Sequence, residues 1–62
     1  KSIEDYSKAI SIKPDYADAY NNRALIYLNN GDSGSGCRDA RKACDLENCS
    51  ALINARAKGL CR

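Results

Sequence analysis

The chain has 62 residues, a net charge of +2 with both signs interspersed, and no Trp, Phe, Met or His. A chain this short buries only about 60% of its unfolded surface, and its core supplies only a few kcal/mol. A neighbouring repeat, a partner, a metal or disulfides must therefore add stability. The charge lacks the one-faced Lys/Arg clustering of a nucleic-acid binder, and no apolar run approaches the ~18 residues of a membrane span.

The predicted elements run as follows. Ile3, Tyr6, Ala9 and Ile10 recur at helical spacing, with Glu4, Asp5, Lys8 and Lys13 elsewhere, which predicts an amphipathic helix over 2–13. Ser2 is its expected N-cap, with Asp5 three residues on. Pro14 ends it, because the residue before proline is pushed out of the α region. A second helix, about 16–30, starts at Asp15 or Tyr16 and carries Tyr20, Ala24, Leu25, Tyr27 and Leu28. Gly31 suits the left-handed position that closes it. Ser33-Gly34-Ser35-Gly36 reads as a loop or a frayed first turn, since glycine costs up to ~1 kcal/mol in a helix. A third helix follows over about 36–47, through Cys37, Ala40, Ala43, Cys44 and Leu46. Asn48-Cys49-Ser50 is a turn with Ser50 as N-cap, and a fourth helix, about 51–59, carries Leu52, Ile53 and Ala57. Gly59 ends or weakens that helix. From Cys49 onward the charges are Arg56, Lys58 and Arg62, with no acid. They read as a solvated cluster that complements the helix dipole, with phosphate binding as the competing reading. The chain opens on Lys inside a periodic pattern and shows no signal-peptide pattern, so it reads as a fragment or a processed product.

Compared with itself at an offset of 34, the chain aligns Asp5 with Asp39, Lys8 with Lys42, Ala9 with Ala43, Ile12 with Leu46 and Ala17 with Ala51. Ile3 meets Cys37 and Ile10 meets Cys44, apolar on both sides. Helix pairs with this period resemble tetratricopeptide repeats. The segment Ala9 to Tyr20, with Pro14 inside it, resembles that family's junction between successive repeats. Tyr20, Ala24, Tyr27, the Gly31-Asp32 turn, Gly36 and Ala43 match its pattern. The resemblance implies an all-α fold of four antiparallel helix-turn-helix elements, an α-solenoid fragment. Residues 1–14 would be the second half of one repeat, 17–50 a full repeat and 51–62 a capping helix. Departures concentrate in the second repeat. Ser33 stands for a bulky residue, Ala40 for a large one such as its partner Tyr6, and Asn48 for the proline seen at Pro14.

Cys37, Cys44, Cys49 and Cys61 all fall in the last 26 residues, by their numbering. None forms C-x-x-C, and with no His a zinc site would need all four thiolates. Cys37 and Cys44 are separated by roughly 10 Å of helical rise, too far for a bridge. In an antiparallel hairpin turning near Glu47-Asn48, the nested pairs Cys44–Cys49 and Cys37–Cys61 fit and the crossed pairs do not. Two disulfides, four free structural thiols and a metal site remain as alternatives. Disulfides would place the protein in the periplasm, at the cell surface or outside the cell; free thiols would place it in the cytoplasm.

No catalytic set emerges: there is no His, no G-x-S-x-G and no phosphate loop. Neither enzymatic activity nor a cofactor is expected. The family resemblance implies a protein-binding scaffold, with a peptide or protein partner in the groove lined by the first helix of each repeat. Carried over, the groove residues are Asp18, Asn21, Leu25, Leu28 and Asn29, with Asn22 near the edge, and then Leu52, Ala55, Arg56 and Gly59. The competing reading is that the asparagines are solvated and the leucines are core. Two other functions stand beside it: a structural subunit that packs end to end by self-association through repeat ends, and a cysteine-based zinc or redox module.

Overall fold

The computed structural model describes residues 3–61, so the Ser2 cap and Arg62 lie outside the described residues. Four α-helices follow one another: α1 (Ile3–Ile12), α2 (Ala17–Asn29), α3 (Ser33–Asp45) and α4 (Ser50–Ala57). Helix α2 is the hub. It packs most extensively on α3 and also meets α1 and α4, while α3 and α4 pair at the C-terminal end. The fold is the all-α helical hairpin array that the 34-residue period predicts.

Three helices close in the same way. After α2, Asp32 N–H donates to the Tyr27 carbonyl (2.9 Å) and Gly31 N–H to that of Leu28 (3.2 Å). After α3, Asn48 N–H donates to Ala43 and Glu47 N–H to Cys44, both at 2.9 Å; after α4, Leu60 N–H donates to Ala55 (2.9 Å) and Gly59 N–H to Arg56 (3.0 Å). This paired pattern is the Schellman closure, which needs a left-handed residue just past the helix. Gly31 and Gly59 take that conformation freely, and Glu47 takes it at φ 77°.

The Ser33–Gly36 stretch is not a loop; it is the first turn of α3. Two things outweigh its poor helix propensity. Asp32 caps the helix, its Oδ1 accepting from the Ser35 N–H at 3.3 Å. Gly36 is also buried against α2, where a Cβ would sit 2.7 Å from Leu28 Cγ and 3.2 Å from the Ala24 carbonyl oxygen. The missing side chain lets the two helices touch, and the packing so gained offsets the propensity cost.

The core is built of small residues: Ala19, Ala24, Ala40, Ala43, Ala51, Leu52, Ala55 and Cys61 are buried. Across it Arg23 ties three helices together. Its Nε and Nη2 donate to Asp39 Oδ2 (2.6 Å) and Oδ1 (2.9 Å), and its Nη1 donates to Ser7 Oγ (3.0 Å). The guanidinium also lies 5.5 Å from the Tyr20 ring centre and 5.9 Å from that of Tyr27. The hydrogen bond to Asp39 pushes the Arg23 pKa above its ordinary value, against the opposing effect of burial. The guanidinium therefore stays charged throughout the physiological pH range.

The sulfurs join as the hairpin geometry predicts: Cys37 with Cys61, at a Cα separation of 5.6 Å, and Cys44 with Cys49, at 4.0 Å. Both pairs lie in the C-terminal half. The first ties α3 to the segment beyond α4; the second spans the turn between α3 and α4.

Candidate functional site

The start of α4 decides what its neighbours can offer a ligand. Ser50 is its first helical residue rather than its cap, and Cys49 at the cap position makes no side-chain cap bond. The orphan N–H groups are satisfied from elsewhere. Ser50 N–H donates to Asn48 Oδ1 (3.4 Å), and Ala51 N–H donates to Asn21 Oδ1 on α2 (2.8 Å). Asn48 Nδ2 in turn donates to Asp18 Oδ1 at 3.0 Å. Asn21, 9% exposed, is thus held inside the fold by its bond to α4. Asp18 is exposed, with one carboxylate oxygen engaged by Asn48.

Further along, residues of α2, of α4 and of the segment after it line a cleft of about 160 Å³. Leu25, Leu28, Ala55 and Leu60 supply its apolar walls; Asn29, Asn54 and Lys58 supply its polar ones. Its volume is close to that of a cavity that holds a benzene-sized group. Leu25 and Leu28 are half-buried and pack against the core, so their outer surfaces form a fixed floor. Leu60 joins the wall because the Schellman closure at Gly59 folds it back along α4.

The residues expected to face a partner are thus divided among four environments. Leu25, Leu28 and Asn29 share the cleft just described. Asn21 and Leu52 are buried, the latter at 7% exposure within the core. Asp18 and Arg56 are exposed on either side, and Asn22 lies in a different cleft. The sequence reading missed Asn54, Lys58 and Leu60. The signal for Leu60 was present: a glycine closing a helix and followed by a large apolar residue is the Schellman sequence pattern, in which that residue packs back on the helix. Nothing comparable marks Asn54 or Lys58, whose place depends on how α4 leans on α2.

The second cleft, about 420 Å³, lies between α1 and α2, lined by Asp5, Tyr6, Ala9, Tyr16, Ala19 and Asn22. It is the wider of the two and carries one acidic side chain. Among the described residues no three His, Cys, Asp or Glu side chains gather as a metal site, and no helix is long and apolar enough to cross a membrane.

Comparison with known sequences agrees with this architecture. One family profile, described as TPR repeat, matches residues 1–31, and a second, described as tetratricopeptide repeat, matches residues 17–48. None of the curated proteins and none of the solved structures matches the chain.

Proposed function

Since the chain belongs to the tetratricopeptide repeat family, whose repeats generally mediate protein–protein interaction, we propose that it holds a partner's peptide segment along α2 and α4. The supporting observation is the cleft of Leu25, Leu28, Ala55 and Leu60 with Asn29, Asn54 and Lys58 around it. An aliphatic side chain of the partner fills the apolar floor. The two asparagine amides, each able to donate and accept, meet the partner's backbone. Lys58 favours an acidic residue beside the aliphatic one. Asp18 and Arg56, exposed on the same two helices, contact the flanks of a longer segment.

Selection of a random peptide library on the oxidised protein tests this reading. Selected peptides are expected to carry an aliphatic residue next to an acid. Leu60→Asp, a change at a residue already 41% exposed, should weaken them at least about tenfold, the loss of roughly 1.4 kcal/mol. Equal binding to the variant would place the partner elsewhere.

The two cysteine pairs at disulfide distance support an oxidising compartment: periplasm, cell surface or extracellular space. Thiols that alkylate in protein taken directly from cells would instead place it in a reducing one.

A further inference from the structure

Helix α4 and the segment after it carry one wall of the Leu25–Leu60 cleft, and the two ends of α4 are anchored by different means. The helix has 8 residues. That is short of the ~12–15 an isolated helix needs to persist in water, so its place depends on its anchors. At its start they are many. Asn21 and Asn48 accept from its first N–H groups, Asn48 also bonds Asp18 on α2, and Ala51 and Leu52 are buried. At its end they are few. Ala55 is buried, every residue from Arg56 to Leu60 is exposed, and burial resumes at Cys61, at 5% exposure. The Leu60 N–H donates to the Ala55 carbonyl, which fixes Leu60 to α4 but does not fix α4 to its neighbours. The covalent tie from this end to α3 is the Cys37–Cys61 bridge, and Cys37 Sγ lies 3.2 Å from the Leu60 carbonyl oxygen.

We propose that the Cys37–Cys61 bridge is a redox latch on this cleft: a dithiol that reduces it releases the end of α4, withdraws Leu60 from the wall and lets a bound peptide go. The proposal rests on the peptide reading given above and adds its regulation. The two sulfurs are unequally placed, Cys61 buried and Cys37 half-buried. The incoming thiolate therefore attacks Cys37 Sγ, forms a mixed disulfide there and expels Cys61 as a thiolate, which takes up a proton. The second thiolate of the dithiol attacks its partner sulfur in the mixed disulfide, and Cys37 departs and takes up a proton in turn. The dithiol leaves as its own disulfide, having given two electrons and two protons to the bridge. The Cys37 thiol so formed is only a weak donor to the Leu60 carbonyl. Burial of one small Cys61 side chain holds the segment little. The remainder of the fold does not run through the latch. Arg23 joins α1, α2 and α3 through Ser7 and Asp39, and α2 packs most extensively on α3. The Cys44–Cys49 bridge lies before α4, at the end that Asn21 and Asn48 already hold.

A library peptide selected on the oxidised protein is the first probe, titrated with and without dithiothreitol. Its affinity should fall at least about tenfold on reduction and return on reoxidation. Cys44→Ser with Cys49→Ser should bind like the oxidised wild type and lose affinity in dithiothreitol by the same factor. Cys37→Ser with Cys61→Ser should bind weakly in both conditions. By reciprocity, saturating peptide should make the Cys37–Cys61 bridge harder to reduce by that factor. Amide hydrogen exchange reads the latch without any peptide. Reduction should speed exchange at Gly59 and Leu60 at least about tenfold while α2 and α3 stay protected. Unchanged exchange at Gly59 and Leu60 would overturn the proposal whether or not a peptide is found. So would unchanged affinity after reduction, or an equal loss in the Cys44→Ser, Cys49→Ser protein without reductant. Loss of protection throughout α1, α2 and α3 would overturn it too, by making the bridges a support of the whole fold. Failure of the peptide reading looks different: no library peptide binds the oxidised protein, while exchange at Gly59 and Leu60 still answers to reduction.

Discussion

Helices α1 and α3 share a sequence pattern at a 34-residue offset, yet their burial differs sharply. Helix α3 buries Gly36, Asp39, Ala40 and Ala43, whereas no described residue of α1 is buried. The larger side chains are on the exposed helix: Tyr6 against Ala40, Ile3 against Cys37, Ile10 against Cys44. Burial here follows from what covers a helix rather than from its own apolar content. Helix α3 has α2 on one side and α4 on another; α1 has α2 alone. The ends of the two helices differ as well. Pro14 follows α1, whereas α3 runs into Asn48 and the Cys44–Cys49 bridge. The covered half is also the cross-linked half. Its small-residue core buries little apolar area per side chain, and covalent constraint on the unfolded chain makes up the difference.

Breaking the bridges gives the largest expected effect. Cys37→Ser with Cys61→Ser opens a loop spanning 24 positions, for which chain entropy predicts about 3.5 kcal/mol of lost stability. Cys44→Ser with Cys49→Ser opens one spanning 5 positions, for about 2 kcal/mol. Urea unfolding of the two double variants reads both values, and reduction of the wild type should add four hydrogens by intact mass, two for each bridge. A larger loss from the short loop would mean that the turn, not the α3-to-terminus tie, holds the cap.

The acidic residues sharpen the same comparison. Asp39→Ala strands Arg23, whose side chain is 18% exposed, and should cost about 3 kcal/mol, as removal of one partner of a buried pair does. Asp5→Ala, the equivalent change on exposed α1, should alter stability by no more than about 0.5 kcal/mol. Equal losses at the two sites would show that α1 is more tightly covered than its exposure indicates.

The smallest effect concerns the closing turns. Glu47 is the one described non-glycine residue with positive φ, at the position that Gly31 and Gly59 hold in the other two closures. Glu47→Gly should raise stability by about 0.5–1 kcal/mol, because glycine removes the Cβ crowding of that conformation. Thermal unfolding of the oxidised protein reads the gain. A loss instead would mean that the Cys44–Cys49 bridge already fixes this turn.

How far the sequence could be read depended on the range of the interactions involved. The helix order, the Pro14 and Gly31 stops, the 34-residue period and the nested cysteine pairs were all legible. Each rests on local backbone rules or on the fixed rise of a helix, and those hold wherever the element sits. The start of α3 was not legible, because glycine's poor propensity is a local quantity. The contact of Gly36 with Leu28 and Ala24 that overrides it is a tertiary one. The role of Asn21 escaped for the same reason: its partner, the Ala51 N–H, is 30 residues away. An asparagine drawn as a ligand contact in the sequence is, in the folded chain, the cap of another helix. The Arg23–Asp39 pair joins residues 16 apart on different helices, and neither helix alone marks it as buried. Sequence by itself determined which segments are helical and in what order they fold back on one another. Tertiary structure decided which of their faces are covered and which polar groups remain for a partner, because those depend on groups far apart in the chain arriving at the same place.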